Sequence, residues 1–339
     1  MHRVVVVVTL AATLCAACAA CDKSARSTAA PAGSAVAASS SPAAAGSGTA
    51  AHAVANDAPP SAPTVTPAIV APAPPAAVLA HPLFWAVEKD GKTTYFFGTM
   101  HMGIDATTQL PPIIWNKLDA AKTFAMEADL DDPNIASMIK PTKGSLHQAL
   151  GDAYWKKLED AMGATMAKAV DNLPPMVPAA VLSVKGLPPT QPMDKALSIR
   201  ATDARKPIVF LEPAVRQLEI LGKWMDIKAL KMILDELPDA EQHAQAMLGA
   251  YAEGNDRKIL AINDNEKTDA LQHGYTAAEY DQEMTDLLYN RNASWITPLE
   301  KLHAAGGGFV AVGALHLLGR RSVLELLARK GYKVTRVVP

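Results

Sequence analysis

Between residues 83 and 98 the apolar positions form two short runs, 83–87 and 93–98, parted by the polar Lys89-Asp90-Gly91-Lys92. An Asp-Gly pair between such runs signals a two-residue hairpin, because both central residues of that turn need positive φ. Residues 111–121 place Ile113, Ile114 and Leu118 on one face and predict a helix, and residues 123–126 form a buried strand that stops at Glu127. Strand, helix and strand in that order predict a parallel pair.

From residue 134 to about 193 the period turns helical. Leu146, Leu150, Trp155, Leu158, Met162 and Met166 recur at spacings of three to five, broken at Pro174-Pro175 and Pro188-Pro189. Residues 194–205 read as a further helix, and the β-branched run 207–211 as a strand that again ends in a carboxylate, Glu212. Residues 214–302 are helical with breaks near Pro238, Gly254 and Gly274, and Met225, Met232 and Met247 fall at core spacing. Residues 309–312, 317–330 and 332–338 close the chain as strand, helix and strand. No fixed repeat is present. The pattern predicts an α/β fold with a mixed central sheet, a site at the strand ends and a large helical insertion over 134–193 that serves as a cover or a partner surface.

The N-terminus changes this picture. After Met1-His2-Arg3, residues 4–21 carry no charge and end in small residues, which reads as a secretory signal peptide over residues 1–21; the alternative is an uncleaved anchor of marginal length. All three cysteines, Cys15, Cys18 and Cys21, lie in this leader, so the folded part has neither a disulfide nor cysteine chemistry. The small-small-Cys exit resembles a bacterial lipoprotein cleavage box with Cys18 or Cys21 as the lipid-bearing residue. Its third preceding position is Cys rather than Leu, and lipoprotein and plain secretion both stay open. Residues 22–80, almost all Ala, Pro, Ser, Thr, Gly and Val, lack the large side chains that offset chain entropy and read as a disordered linker. The folded domain is expected over 82–339, exported across a bacterial inner membrane and either periplasmic or tethered to a membrane through leader or lipid. A net charge of −2 without a basic cluster excludes nucleic acid as a partner.

Two copies of G-x-x-H stand at predicted strand exits, Gly98-Thr99-Met100-His101 and Gly313-Ala314-Leu315-His316. A glycine at a strand exit lets the backbone turn tightly, and a histidine three residues on can enter the crevice at the carboxyl ends of the strands. A lone histidine of this kind is normally structural; the repeated context argues for function. His101 and His316 with the strand-end Glu127 and Glu212 would make an N2O2 set for a divalent metal. Glu212 fits either that pocket or the start of the next helix, and Asp194 fits a helix cap better than a catalytic role. His147, His243, His273 and His303, and the stretches 241–253 and 264–267, read as solvated.

These segments resemble the TraB/GumN group, related to the Tiki metalloproteases. The resemblance covers roughly residues 83 to 338 and is carried by residues 95–101, Met126-Glu127, Met193-Asp194, Leu211-Glu212-Pro213, Gln217-Leu218, residues 251–256, Arg291-Asn292 and residues 312–319. Gly254-Asn255-Asp256 replaces the usual Gly-Asp, and Leu315 stands where Gly is common; neither touches the His and Glu residues. The resemblance implies that both histidines and the strand-end glutamates meet in one pocket with Arg291 nearby. It also implies metal-dependent hydrolysis of a peptide or protein substrate with manganese or cobalt, while related folds act as esterases or bind haem. Zinc has the same ligand preferences. In that setting Glu127 is a third ligand or the general base, Arg291 stabilises an oxyanion or clamps a carboxylate, and Asn292 positions Arg291. Two other readings are open: a protein of the same fold that binds metal, haem or peptide without turnover, and an accessory to surface polysaccharide export. The 5% aromatic content gives the last little support.

Overall fold

The computed structural model describes residues 78–129 and 131–339. The leader, Cys18, Cys21 and the linker up to residue 77 lie outside the described residues. Leu79, just upstream of residue 82, is buried and donates its N–H to the Gln109 carbonyl at 2.8 Å.

The hairpin forms as its turn chemistry dictates. β1 (Phe84–Lys89) and β2 (Lys92–Thr99) pair antiparallel with Lys89 opposite Lys92. Asp90 and Gly91 sit at φ +50° and +70°, the left-handed values such a turn requires. β3 (Phe124–Met126), β4 (Ile208–Phe210), β5 (Phe309–Gly313) and β6 (Lys333–Arg336) complete one sheet in the order β4-β3-β5-β2-β1-β6. The first four in that order are parallel, and β1 is antiparallel to both β2 and β6. The fold is therefore the expected mixed α/β sheet.

β2 and β3 are parallel but are not neighbours. β5 lies between them, paired with β2 through Thr99 opposite Gly313 and with β3 through Met126 opposite Ala311. All five residues of β5 are buried, which suits a central parallel strand covered on both faces. Phe309 at its start lies 5.8–6.4 Å, ring centre to ring centre, from Phe84, Phe97 and Phe124 on three other strands. This aromatic cluster fixes the register that sets the strand ends side by side.

Helices occupy most of 134–304. The insertion contributes Leu146–Leu150, Asp152–Met162, Ala164–Val170 and Met176–Ser183. Met193–Asp203, Ala214–Trp224, Ala240–Ala252 and Asn290–Ala304 bring residues to the strand ends. Met225, Met232 and Met247 are core residues, as their spacing predicts. No helix among the described residues is long and apolar enough to cross a membrane.

Three expectations are corrected. The helix over 317–330 is two pieces, Ala314–Leu317 and Val323–Arg329, because Gly319 at φ +72° turns the chain between them. His303 is buried, sharing a 2.8 Å hydrogen bond with Thr94 Oγ1 and a 3.0 Å bond with the Lys89 carbonyl, so it ties its helix to the hairpin. Glu266, expected on a solvated face, is also buried.

Candidate active site

The four parallel strands deliver their chemistry in a row. Along their carboxyl edge stand Glu212 after β4, Glu127 after β3, the Gly313 segment with His316 after β5, and the Gly98 segment with His101 after β2. Glu212 continues the pairing by donating its N–H to the Glu127 carbonyl at 2.9 Å. The crevice beyond the carboxyl ends of parallel strands is where such folds place ligands. Convergence is tightest at Gly313. A Cβ built there would lie 3.3 Å from Glu127 Oε1 and from His101 Nε2, and 3.6 Å from His316 Cδ2.

Arg291 joins the row from the Asn290–Ala304 helix. Its Nη2 donates to Glu127 Oε2 at 2.6 Å and to Glu212 Oε1 at 2.5 Å, its Nε donates to Glu212 Oε1 at 2.8 Å, and its Nη1 lies 3.3 Å from His316 Nε2. Immediately before it, residues Thr285–Tyr289 form a π turn. Within that turn the Leu287 carbonyl accepts from Arg291 Nη1 at 2.9 Å. Single π turns inside α-helices commonly mark functional positions, and this one carries no sequence signature. Glu127 also accepts from the Gly313 N–H at 2.8 Å and from Gln217 Nε2 at 3.0 Å.

Each histidine is fixed through Nδ1 by a different partner. His101 Nδ1 lies 2.5 Å from Asp194 Oδ2, while Thr99 Oγ1 donates to Asp194 Oδ1 at 2.8 Å. His316 Nδ1 lies 2.6 Å from Asn292 Oδ1, and Asn292 Nδ2 donates to the Arg321 carbonyl at 2.9 Å. Because Asn292 spends its amide N–H on that carbonyl, its oxygen must face the ring, so His316 carries its proton on Nδ1 and the lone pair on Nε2. Trp295 covers the His316 ring at 4.4 Å and the Arg291 guanidinium at 5.0 Å.

Burial sharpens the charges. His101, Glu127, Asp194, Glu212, Gln217, Arg291, Asn292 and His316 are all between 1% and 6% exposed, so pairing rather than water sets their states. For Glu127, burial works against the carboxylate, but His316, Arg291, His101 and the Gly313 amide together hold its pKa near 2. For Glu212, burial outweighs the pull of Arg291 and raises the pKa above the ordinary value. Burial also dominates at His316 and lowers its pKa to about 3, which makes it a neutral imidazole. At His101 burial opposes the charged ring, yet the Asp194 carboxylate and then Glu127 more than offset it and the pKa is raised.

All six site residues expected from the sequence, His101, Glu127, Glu212, Arg291, Asn292 and His316, meet in this cluster. Asn292 does so by holding His316, not Arg291, because an asparagine next in sequence to the arginine projects to a different side of the helix. Glu212 enters the pocket rather than capping the next helix, whose first flanking residue is Pro213. Asp194 is no cap either: it lies inside the Met193–Asp203 helix, and its carboxylate serves Thr99 and His101. Gln217 and Thr99, which lie in segments that carry the resemblance without an expected role, and Trp295, which the sequence does not single out, are further members. Tyr251, whose hydroxyl donates to the Gly98 carbonyl at 2.8 Å, supports the first motif from behind.

The residue types suit a divalent metal. Glu127, Glu212 and Asp194 set three carboxylates against the one guanidinium of Arg291, and Glu212 Oε2 is buried without a hydrogen-bond partner. In the described residues, however, no three His, Cys, Asp or Glu side chains form a ready group of metal ligands. Arg291 lies within 4 Å of both carboxylates and of His316 instead.

A family model described as the TraB/PrgY/gumN family matches residues 83–336. The chain is 24% identical over 250 residues to the uncharacterized protein YbaP of Shigella flexneri, covering 69% of this chain and 87% of that protein. It is 24% identical over 249 residues to the uncharacterized YbaP of Escherichia coli K12, with the same coverage of 69% and 87%. No solved structure matches significantly.

Proposed function

The chain belongs to the TraB/PrgY/gumN family, and from that premise and the cluster at Gly313 we propose that it is a divalent-metal-dependent hydrolase of peptides that works outside the cytoplasm. The single observation that supports this reading most is the meeting of His101 Nε2 and Glu127 Oε1 at one glycine, with His316 beside them and both rings fixed through Nδ1. Holding the far nitrogen of an imidazole is how proteins orient a metal-binding histidine and set its tautomer. His101, His316 and Glu127 would hold manganese, cobalt or zinc, with Glu212 in reach of the cluster through Arg291. When bound, such an ion supplies a water of lowered pKa and polarises a carbonyl.

The chain's own groups divide the remaining work. A pKa near 2 keeps Glu127 ionised at working pH, which suits a ligand and makes it a poor general base. Arg291 balances Glu127 and Glu212, and because its N–H groups are all engaged it would take up negative charge on a substrate oxygen by giving up one of these partners. For substrate to enter, the cluster must open, since its members are buried. The segment just before the Met193–Asp203 helix is tied to the chain around the first G-x-x-H motif, where Gly103 N–H donates to Thr190 Oγ1 at 2.9 Å and Met193 N–H to the His101 carbonyl at 3.0 Å.

The test is to incubate the full-length protein with a diverse peptide library and manganese, cobalt or zinc, with and without chelator, beside His101→Ala and Glu127→Gln. Metal-dependent cleavage that both variants lose supports the reading. Metal bound by the wild type without any cleavage would replace the peptidase with a binding protein or a hydrolase of another substrate.

A further inference from the structure

The first G-x-x-H motif is gripped at nearly every position by residues outside the motif. Tyr251 holds the Gly98 carbonyl, Met193 N–H holds the His101 carbonyl, and Asp194 accepts from Thr99 Oγ1 through one oxygen while facing His101 Nδ1 with the other. A carboxylate can only accept, so the hydrogen between Asp194 and the ring resides on His101 Nδ1. Thr99 occupies the second carboxylate oxygen, which leaves Asp194 one rotamer with which to meet the ring. Asp194 is itself buried, at 3% exposed.

We propose that Asp194, steadied by Thr99, is a positioning residue that holds the His101 ring with Nδ1–H toward its carboxylate, so that the neutral ring is the Nδ1–H tautomer and Nε2 stands on the side of Gly313. The proposal deepens the hydrolase reading and rests on it for the role of His101, although the tautomer itself is a property of the protein without substrate. The two G-x-x-H histidines are thus held by different chemistry, an aspartate on one side and an asparagine on the other. The sequence motif does not distinguish them. Asp194 and Met193 are adjacent in the chain and both bind His101, the first at its ring and the second at its carbonyl.

The experiment uses full-length metal-free protein labelled with ¹⁵N at histidine, and compares wild type, Asp194→Ala, Asp194→Asn and Thr99→Val. Imidazole ¹⁵N shifts report the tautomer of each ring, and the His316 signals serve as an internal control that the fold is kept. Spectra are recorded above the raised pKa of His101, where the ring is neutral, and in the wild type it then shows the Nδ1–H tautomer. Asp194→Ala should populate both tautomers and lower turnover of the metal-loaded protein about 10–100-fold, the usual cost of losing the outer partner of a ligand histidine. Asp194→Asn retains an acceptor of the same shape and should recover the Nδ1–H signal and part of the turnover. Thr99→Val should give a smaller loss of the same kind. An unchanged His101 tautomer in Asp194→Ala, with the control signals intact, would overturn the proposal; so would a lost tautomer with turnover unaffected. A tautomer that responds as expected in a protein that cleaves no peptide would leave the positioning role standing and remove the peptidase instead.

Discussion

The two G-x-x-H segments occupy neighbouring strand ends, in register at Thr99 and Gly313, yet the structure treats their residues in opposite ways. His101 faces a carboxylate and its pKa is raised; His316 faces an amide, sits under Trp295, and has its pKa lowered to about 3. Their glycines differ as well. A Cβ on Gly98 would lie 3.2 Å from the Ala314 Cα and from the Leu83 Cβ, whereas one on Gly313 would meet the side-chain atoms of Glu127, His101 and His316. The first glycine lets two chain segments cross and the second leaves room for chemistry. A repeated motif therefore marks a shared location, and the partners contributed by the intervening helices decide what each copy does there.

The largest effect expected is from breaking the element that both halves share. Arg291→Met would leave Glu127 and Glu212 buried without their counter-charge, and removing one partner of a buried ion pair costs about 3–5 kcal/mol. Urea unfolding should show a loss of that size, and a change below about 1 kcal/mol would mean that Arg291 is not the clamp described here.

The pH dependence of stability separates the two histidines and their carboxylate. Glu127 has a folded pKa near 2, below its ordinary 4.5, so its contribution is fully present above about 4.5 and is lost as pH falls toward 2. That difference corresponds to about 3 kcal/mol. His316 acts in the same direction. Between its ordinary 6.5 and about 3 the unfolded state binds a proton that the folded state refuses, so stability declines as pH falls through that window. His101 acts oppositely: its raised pKa adds stability below 6.5 that disappears as pH rises through the folded value. The slopes of the stability curves of His316→Gln and His101→Gln should differ from wild type on opposite sides of pH 6.5, below it for His316 and above it for His101. Asn292→Asp, which gives His316 the kind of partner His101 has, should raise the His316 pKa in an NMR titration and make the two halves more alike.

A smaller effect separates the glycines. Gly98→Ala forces a contact with backbone and should cost about 1–3 kcal/mol through overpacking. Gly313→Ala should cost less in stability and more in metal binding and turnover, because its methyl group would intrude among the functional atoms. Equal stability losses with activity retained at Gly313 would erase the distinction.

Much of this was legible in the chain. Asp90-Gly91 set the hairpin, the β-branched runs gave the strands, and Glu127, Glu212, His101 and His316 were each visible at the end of one. The position of β5 between β2 and β3 was not, since an apolar run states that a strand is buried but not which neighbours it takes. Asp194 looked like a cap because a polar residue at a helix start usually is one; only tertiary packing shows that it faces Thr99 and His101. The π turn that sets Arg291 in place is encoded in packing around residues 285–289, and the partnership of Asn292 with His316 depends on a helix face that the pair Arg291-Asn292 does not specify on its own.

The proposed function requires His101, His316 and Glu127 to bind one divalent ion together. Titration of the metal-free full-length protein with cobalt(II), followed by visible absorption, tests it without any substrate. One equivalent is expected to bind in the wild type, with a spectrum that His101→Ala, His316→Ala and Glu127→Gln each alter or abolish. Saturable binding with a spectrum indifferent to those three changes, or no binding at all, would contradict it.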